Sequence, residues 1–390
     1  MNPYNKHDLQ TPAYTPDGYV VTNSNGDSIC LHSDGDYAGM EFAEIDFSFL
    51  TIRADFSNAS FKHCLFNLTD MSESNFSEAS FHDCLMTSVA FMWTKSSKLK
   101  MTKTSVSNVR FFSSELQQAH IEADFEEANF NHVNLSKAHF VKSKLSNCEF
   151  TDSNCTDLTI SRTSLDVVKF KTCDMRWLRI EDSAADFLKI FNCNLAGSTW
   201  LSVFATHGYW GFHSVDLTAA RFSMCHASNS TWSNSTFFGT VMERCNWYKS
   251  DLDMCVILSS HFQSVGWNET TFKDTHIYNL YASALRLRFA KFSSCEIVDT
   301  TISDSYWEFC DFRFVFPTNL SIVNPAYSDD TKWHAGFTPI NDPNPTPKDS
   351  ADDEDIDDDD EEEEEEEDGD DGGEMNEIKE FNDNEEEETK

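Results

Sequence analysis

Thirteen histidines, twelve cysteines and 67 carboxylates give this 390-residue chain the side chains that metal, thiol or acid–base chemistry would use. Their spacing decides whether they can. His120, His132 and His139 are the imidazoles that fall closest together, but a metal site needs its ligands to converge on one point. No cysteine pair has zinc-ligand spacing. The chain contains no aligned serine, histidine and aspartate, no phosphate-cradling glycine loop and no convincing catalytic acid pair. The reading is therefore a non-enzyme, with no catalytic, metal or cofactor-binding residue expected. Two groups suit partner contact instead. One is "ATHGYWGFHS" at 205–214, which carries His207, Tyr209, Trp210, Phe212 and His213 among glycines. The other is the acidic cluster Glu122, Asp124, Glu126 and Glu127.

What must position these residues is a period of five. In "ADFSNASFKHCLF", phenylalanine stands at 56, 61 and 66. Five matches neither a helix nor a simple strand. The pattern runs on from Met71, Phe76 and Phe81 and covers roughly 42–315. It drops one residue between Ile121 and Phe125, lapses at Ser96, Cys155, Ala185 and Ala282, and is lost from about Leu201 to Val215. Two residues before each large centre sits a small one, such as Ala54, Ala59, Cys64 or Ala128. The residues between are mainly Ser, Thr, Asn and Asp. Each unit thus turns one large and one small group inward and the rest outward.

"ADF" at 54–56 and 123–125, "SNF" at 74–76, "ANF" at 128–130, "VNL" at 133–135 and "CNL" at 193–195 resemble the pentapeptide repeat family. The resemblance implies an all-β fold, a right-handed quadrilateral β-helix with four pentapeptides per coil. Roughly 13 or 14 coils, about 4.8 Å apart, predict a rod of about 60–65 Å. A single coil cannot bury its inward side chains, so stacking must create the core. In that geometry His120, His132 and His139 fall on different sides or rungs. Nine cysteines (64, 84, 148, 173, 193, 245, 255, 295 and 310) take the small inward position, where a free thiol packs as a small hydrophobe. A reducing, cytoplasmic location fits that usage.

Four segments are expected. Residues 1–40 form an N-terminal cap, with a hairpin in 19–31 turning at Asn25-Gly26; 41–316 form the solenoid; 317–348 are a Pro-rich cap or linker; 349–390 are a disordered acidic tail. The net charge of -38 is concentrated in that tail, which holds 27 acidic residues and two lysines. The opening residues do not read as a secretory signal, and no run approaches transmembrane length. Known members of the family include inhibitors and protectors of DNA gyrase that imitate duplex DNA, some with projecting loops that help engage the enzyme. Two readings stay open: a protein-interaction scaffold working through the outer faces, or a DNA mimic of gyrase or another DNA-binding protein. The expected partner is a protein, with no direct nucleic-acid binding and no membrane. The basic groups Lys95, Lys98, Lys100, Lys103 and Lys137, Lys142, Lys144 depart from a mimic, as does the lack of a C-terminal dimerisation helix. A continuous acidic stripe would favour mimicry and alternating patches the scaffold. Residues 205–214 either project towards a partner or form a bulge whose Trp210 and Phe212 fill the interior.

Overall fold

Each five-residue unit solves the same local problem. Its middle residue and the residue two before it point inward, as Phe61 and Ala59 do, both fully buried. The residue two after the middle takes a left-handed conformation that turns the chain through a corner, as His63 does at φ 55°. Left-handed backbone normally favours glycine, yet Trp93, Val167 and Phe187 adopt it at φ 54–55°. The bond from one rung to the next holds such corners: the His63 N–H donates to the His82 carbonyl at 3.0 Å. The computed structural model describes residues 9–16, 18–337 and 339.

Four units close one rung, and rungs stack in parallel register, with Phe61 over Phe81, Phe130 over Phe150 and Phe272 over Phe292. We call the faces A to D by their inward residues: Phe61 and Phe81 on face A, Phe66 and Met86 on B, Phe91 and Phe111 on C, Phe56 and Phe76 on D. The core is a set of ladders. On face C, Phe111, Phe130, Phe150 and Phe170 stack with ring centroids 4.5–5.0 Å apart. Hydroxyls at the small position are satisfied by carbonyls, as where Ser114 donates to Phe91 at 2.8 Å and Thr270 to Trp247 at 2.9 Å. The interior is closely packed, with a small apolar cavity of about 20 Å³ between Trp267, Phe292 and Trp307.

The apparent lapses in the repeat are still inward positions: Ser96, Cys155, Ala185 and Ala282 are all buried. Their small side chains leave volume for neighbours. Beside Ala185 the space goes to Trp210, whose Nε1 donates to the Ala185 carbonyl at 2.8 Å. The dropped residue at 121–125 makes one continuous strand, His120–Glu126, where a corner would stand. A second shortened side lies at Ile52–Phe56, so that Phe42 pairs with Phe61, nineteen residues on. The region without period proves narrower than the sequence suggests. Ile190 pairs with Phe212 where twenty residues would be regular, so the insertion is two residues, between Ala205 and Trp210.

The expected hairpin is present. Gly18–Thr22 pairs antiparallel with Ser28–Leu31, and Ala13–Thr15 adds a third strand. Val21 and Leu31 bury themselves in the core cluster. At the other end Trp333 packs on Trp307, Phe312 and Tyr327. Eleven thiols are buried and Cys30 is half-buried, and none is in a disulfide. Cys225 joins the nine at the small position, and Cys155 takes a large one. The acidic segment 349–390 lies outside the described residues.

Candidate interaction surfaces

The two-residue insertion is built around one carboxylate. Asp186 Oδ1 accepts the backbone N–H groups of Thr206, His207 and Gly208 at 2.7, 3.1 and 3.2 Å. A Cβ on Gly208 would sit 2.4 Å from the Phe187 nitrogen, so only glycine lets the chain pass this close. The bulge divides the residues expected there. Trp210 and Phe212 are 0% and 1% exposed and stack in the lumen on Trp200 and Trp232, which corrects their expected place at a partner surface. Pairing with the rung below forces this, because both occupy inward positions of the register. His207 and His213 are exposed and Tyr209 is half-buried. His213 sits on face C, bonded to Ser233 at 2.6 Å. Tyr209 meets the exposed Phe187 edge-on at 5.6 Å, with the Lys189 ammonium 5.5 Å from its ring. Phe204, 42% exposed, packs on His226, whose protonation is disfavoured by burial. Phe187, Phe204 and Lys189 escaped the sequence reading. Their signal was large aromatics at positions the frame turns outward.

The acidic cluster lies across two faces. Glu122 is on face A; Asp124 and Glu126 are on face B; Glu127 is the corner beyond it, at φ 55°. Stacking places Asp166 and Asp186 in the same outward column as Glu126, with Ser146 between. The cluster and the insertion, about eighty residues apart in sequence, therefore share one face. No ion pair reaches Asp124, Glu126, Glu127 or Asp166 among the described residues. Face A at the same height is basic. Lys103, Lys142 and Arg162 stand at its corner with face B and Lys137 at its other corner, Lys100 continues in register to His120 and His139, and Lys144 falls on face B, stacked on Asp124. Lys98, beside them, pairs with Glu78 at 2.8 Å. His120 stacks on His139, while His132 is carried off to a corner of face C.

A third surface was not legible in advance. On the C-terminal half of face D, Phe238, Leu258 and Tyr278 form one outward column, followed by Val298, with Met254, Phe314 and Phe316 exposed around it.

The thiols are packing groups in this arrangement. Burial pushes Cys148 up to about 11 and Cys255 and Cys310 up to about 12, away from the nucleophilic thiolate. Among the described residues no group of histidine, cysteine and carboxylate side chains could hold a metal ion.

Comparison with known proteins agrees with the repeat. The family model described as "Pentapeptide repeat region" matches residues 123–200, and "Pentapeptide repeats (8 copies)" matches 52–89. No curated protein sequence matches the chain. Among solved structures, HetL of Nostoc sp. strain PCC 7120, a pentapeptide repeat protein involved in heterocyst differentiation regulation, is 15% identical. The match covers 58% of this chain and 87% of that one, with a TM-score of 0.35. Full-length QnrB1, a plasmid-mediated fluoroquinolone resistance protein, is 13% identical over 61% and 93%, with a TM-score of 0.18. A catalytic unit of an alpha-1,3-glucanase from Streptomyces thermodiastaticus strain HF3-3 is 9% identical over 70% and 65%, with a TM-score of 0.32. The five-residue frame, the left-handed corners and the two family matches lead to one conclusion: this chain is a repeat β-solenoid whose residues 52–89 and 123–200 match pentapeptide repeats.

Proposed function

We propose that the rod is a scaffold that binds a protein partner through its outer faces. The observation that carries this is the apolar column on face D. Phe238 is 46% exposed, and it is continued by the half-buried Leu258, Tyr278 and Val298 on a rod whose outward positions are mostly polar. Contiguous exposed apolar surface marks interaction sites. The experiment is capture of partners by the immobilised full chain, compared with a Leu258→Glu, Val298→Glu variant that melts like the parent. Loss of a partner from the variant supports the reading. An unchanged set of bound proteins sinks the strip as the contact.

A second reading, a DNA mimic acting on gyrase or another DNA-binding protein, is favoured by the pentapeptide repeat matches more directly than a general scaffold is. The QnrB1 likeness points the same way only through that protein's role in fluoroquinolone resistance. The acidic run on face B suits mimicry and the basic strip on face A opposes it. Supercoiling by gyrase, titrated with full-length chain at low and physiological salt, separates the two. Inhibition or protection at physiological salt favours the mimic; no effect on either removes gyrase as the target.

A further inference from the structure

The dropped residue at 121–125 has a structural result that neither reading uses. A groove runs along face B from the lost corner, lined by Asp83, Lys103, Ser105, Asp124, Glu126 and Ser146. Ser146 is only 7% exposed, and its hydroxyl has no hydrogen-bond partner. A buried hydroxyl without a partner costs about 1–3 kcal/mol, so the groove holds an unmet polar demand. Within the groove the outward column reads Glu126 and Ser146, and beyond the groove it continues in register to Asp166 and Asp186, a run of about 14 Å at one rung per 4.8 Å. Lys103 and Lys144 also line the groove, Lys144 stacked on Asp124 in the column nearer face A. The column ends at Phe187 and Tyr209 beside the insertion.

We propose that this groove is a docking track for an extended, basic polypeptide segment of the partner. The inference rests on the protein-binding reading but uses a different face from the apolar strip. Charge selects the occupant: Glu126 and Asp166 face the segment unpaired, with Glu127 beside them. Lys103 and Lys144 repel it from the face A side and so fix its lateral position on the acidic column. The Ser146 hydroxyl bonds its backbone. A polyanion such as nucleic acid would meet the acidic column and be rejected.

The test uses full-length protein and a fluorescent ten-residue peptide alternating Lys and Gly, whose side-chain amines can couple to activated carboxylates, at physiological salt. A Glu-Gly peptide and a single-stranded oligonucleotide serve as the other arms. Carbodiimide cross-links are mapped by mass spectrometry, which separates the track from residues 349–390. The expected result is cross-links at Glu126 and Asp166, about tenfold weaker binding for Glu126→Gln, Asp166→Asn, and a smaller loss for Ser146→Ala. Cross-links confined to 349–390, equal binding by the double variant, or preference for the oligonucleotide overturns the track. The same double variant in the partner-capture experiment keeps the two ideas apart. A partner that it retains in full refutes the track and leaves the scaffold standing, whereas no captured partner for the parent chain counts against the scaffold itself.

Discussion

Face D is two surfaces made from one repeat. In its N-terminal half the residue before the inward centre is mostly Asp or Asn, and that side chain accepts the N–H two residues on. Asp55 takes the Ser57 N–H at 2.8 Å, Asn194 that of Ala196 at 3.0 Å, and Asp216 that of Thr218 at 2.9 Å. Such local bonds compete with extended structure and produce turns. In the C-terminal half the same position holds Thr236, Val256, His276 and Glu296, and the face becomes strands: Thr236–Phe238, Val256–Leu258 and His276–Tyr278. The residue after the centre changes too, from Ser57, Ser77 and Ser136 to Phe238, Leu258 and Tyr278. Two outward positions thus switch a side of the solenoid from a polar turn to a flat apolar ladder, while the inward pattern stays constant.

If the difference lies only on the outside, truncating an inward residue should cost the same in both halves. Leu195→Ala and Ile257→Ala, at face D centres that are 0% and 1% exposed, are each expected to lose about 2–5 kcal/mol in denaturant melts. A much smaller loss in one half would mean that half is loosely packed and would break the comparison.

Alkali should act next. Cys148 in the N-terminal half and Cys255 and Cys310 in the C-terminal half have their thiols raised by burial, to about 11, 12 and 12 from 9.0. Their folded values lie above the unfolded one. Their contribution is therefore whole below about pH 9 and declines as pH climbs towards 11 or 12, by about 1.4 kcal/mol per pH unit per thiol. Urea melts at pH 8 and 10.5 should show this fall, and Cys255→Ala should flatten it. A stability that does not change with pH would contradict the buried, neutral thiols.

The local switch itself is worth less. Asn194→Ala removes an acceptor from a turn N–H and is expected to cost about 1 kcal/mol, whereas Val256→Asn should be near neutral, because strand pairing already holds that side. Equal losses would show that the Asx bond is not what separates the two halves. Phe238→Ser should change stability least, within about 0.5 kcal/mol, while still weakening partner capture. A large loss of melting temperature would mean the column is a structural element rather than a docking surface.

The fold was legible because the inward positions are a local matter. Phe56, Phe61 and Phe66 state the period, Ala54 and Ala59 the small position, and the N-terminal hairpin followed from Asn25-Gly26. The surfaces were less legible. Trp210 and Phe212 could be read as projecting or as filling the interior, because glycines and a broken frame surround them, and only register with Leu188 and Ile190 turns them inward. Glu126 and Asp166 are forty residues apart, and nothing local says that they stand two rungs apart in one column. Phe187, Phe204 and Phe238 look like core aromatics until the frame is counted through the insertion.

By itself, then, the sequence determined the rung. A period of five with one large and one small inward group can bury its apolar surface only by stacking, and that logic needs no knowledge of distant contacts. Only the tertiary structure decided the faces. Two shortened sides and one two-residue insertion set which outward residues align, because each shift changes the register of everything stacked above it. The charge that a partner meets on faces A and B, and the apolar ladder on face D, are sums over rungs about 4.8 Å apart, whose members lie twenty or so residues apart along the chain.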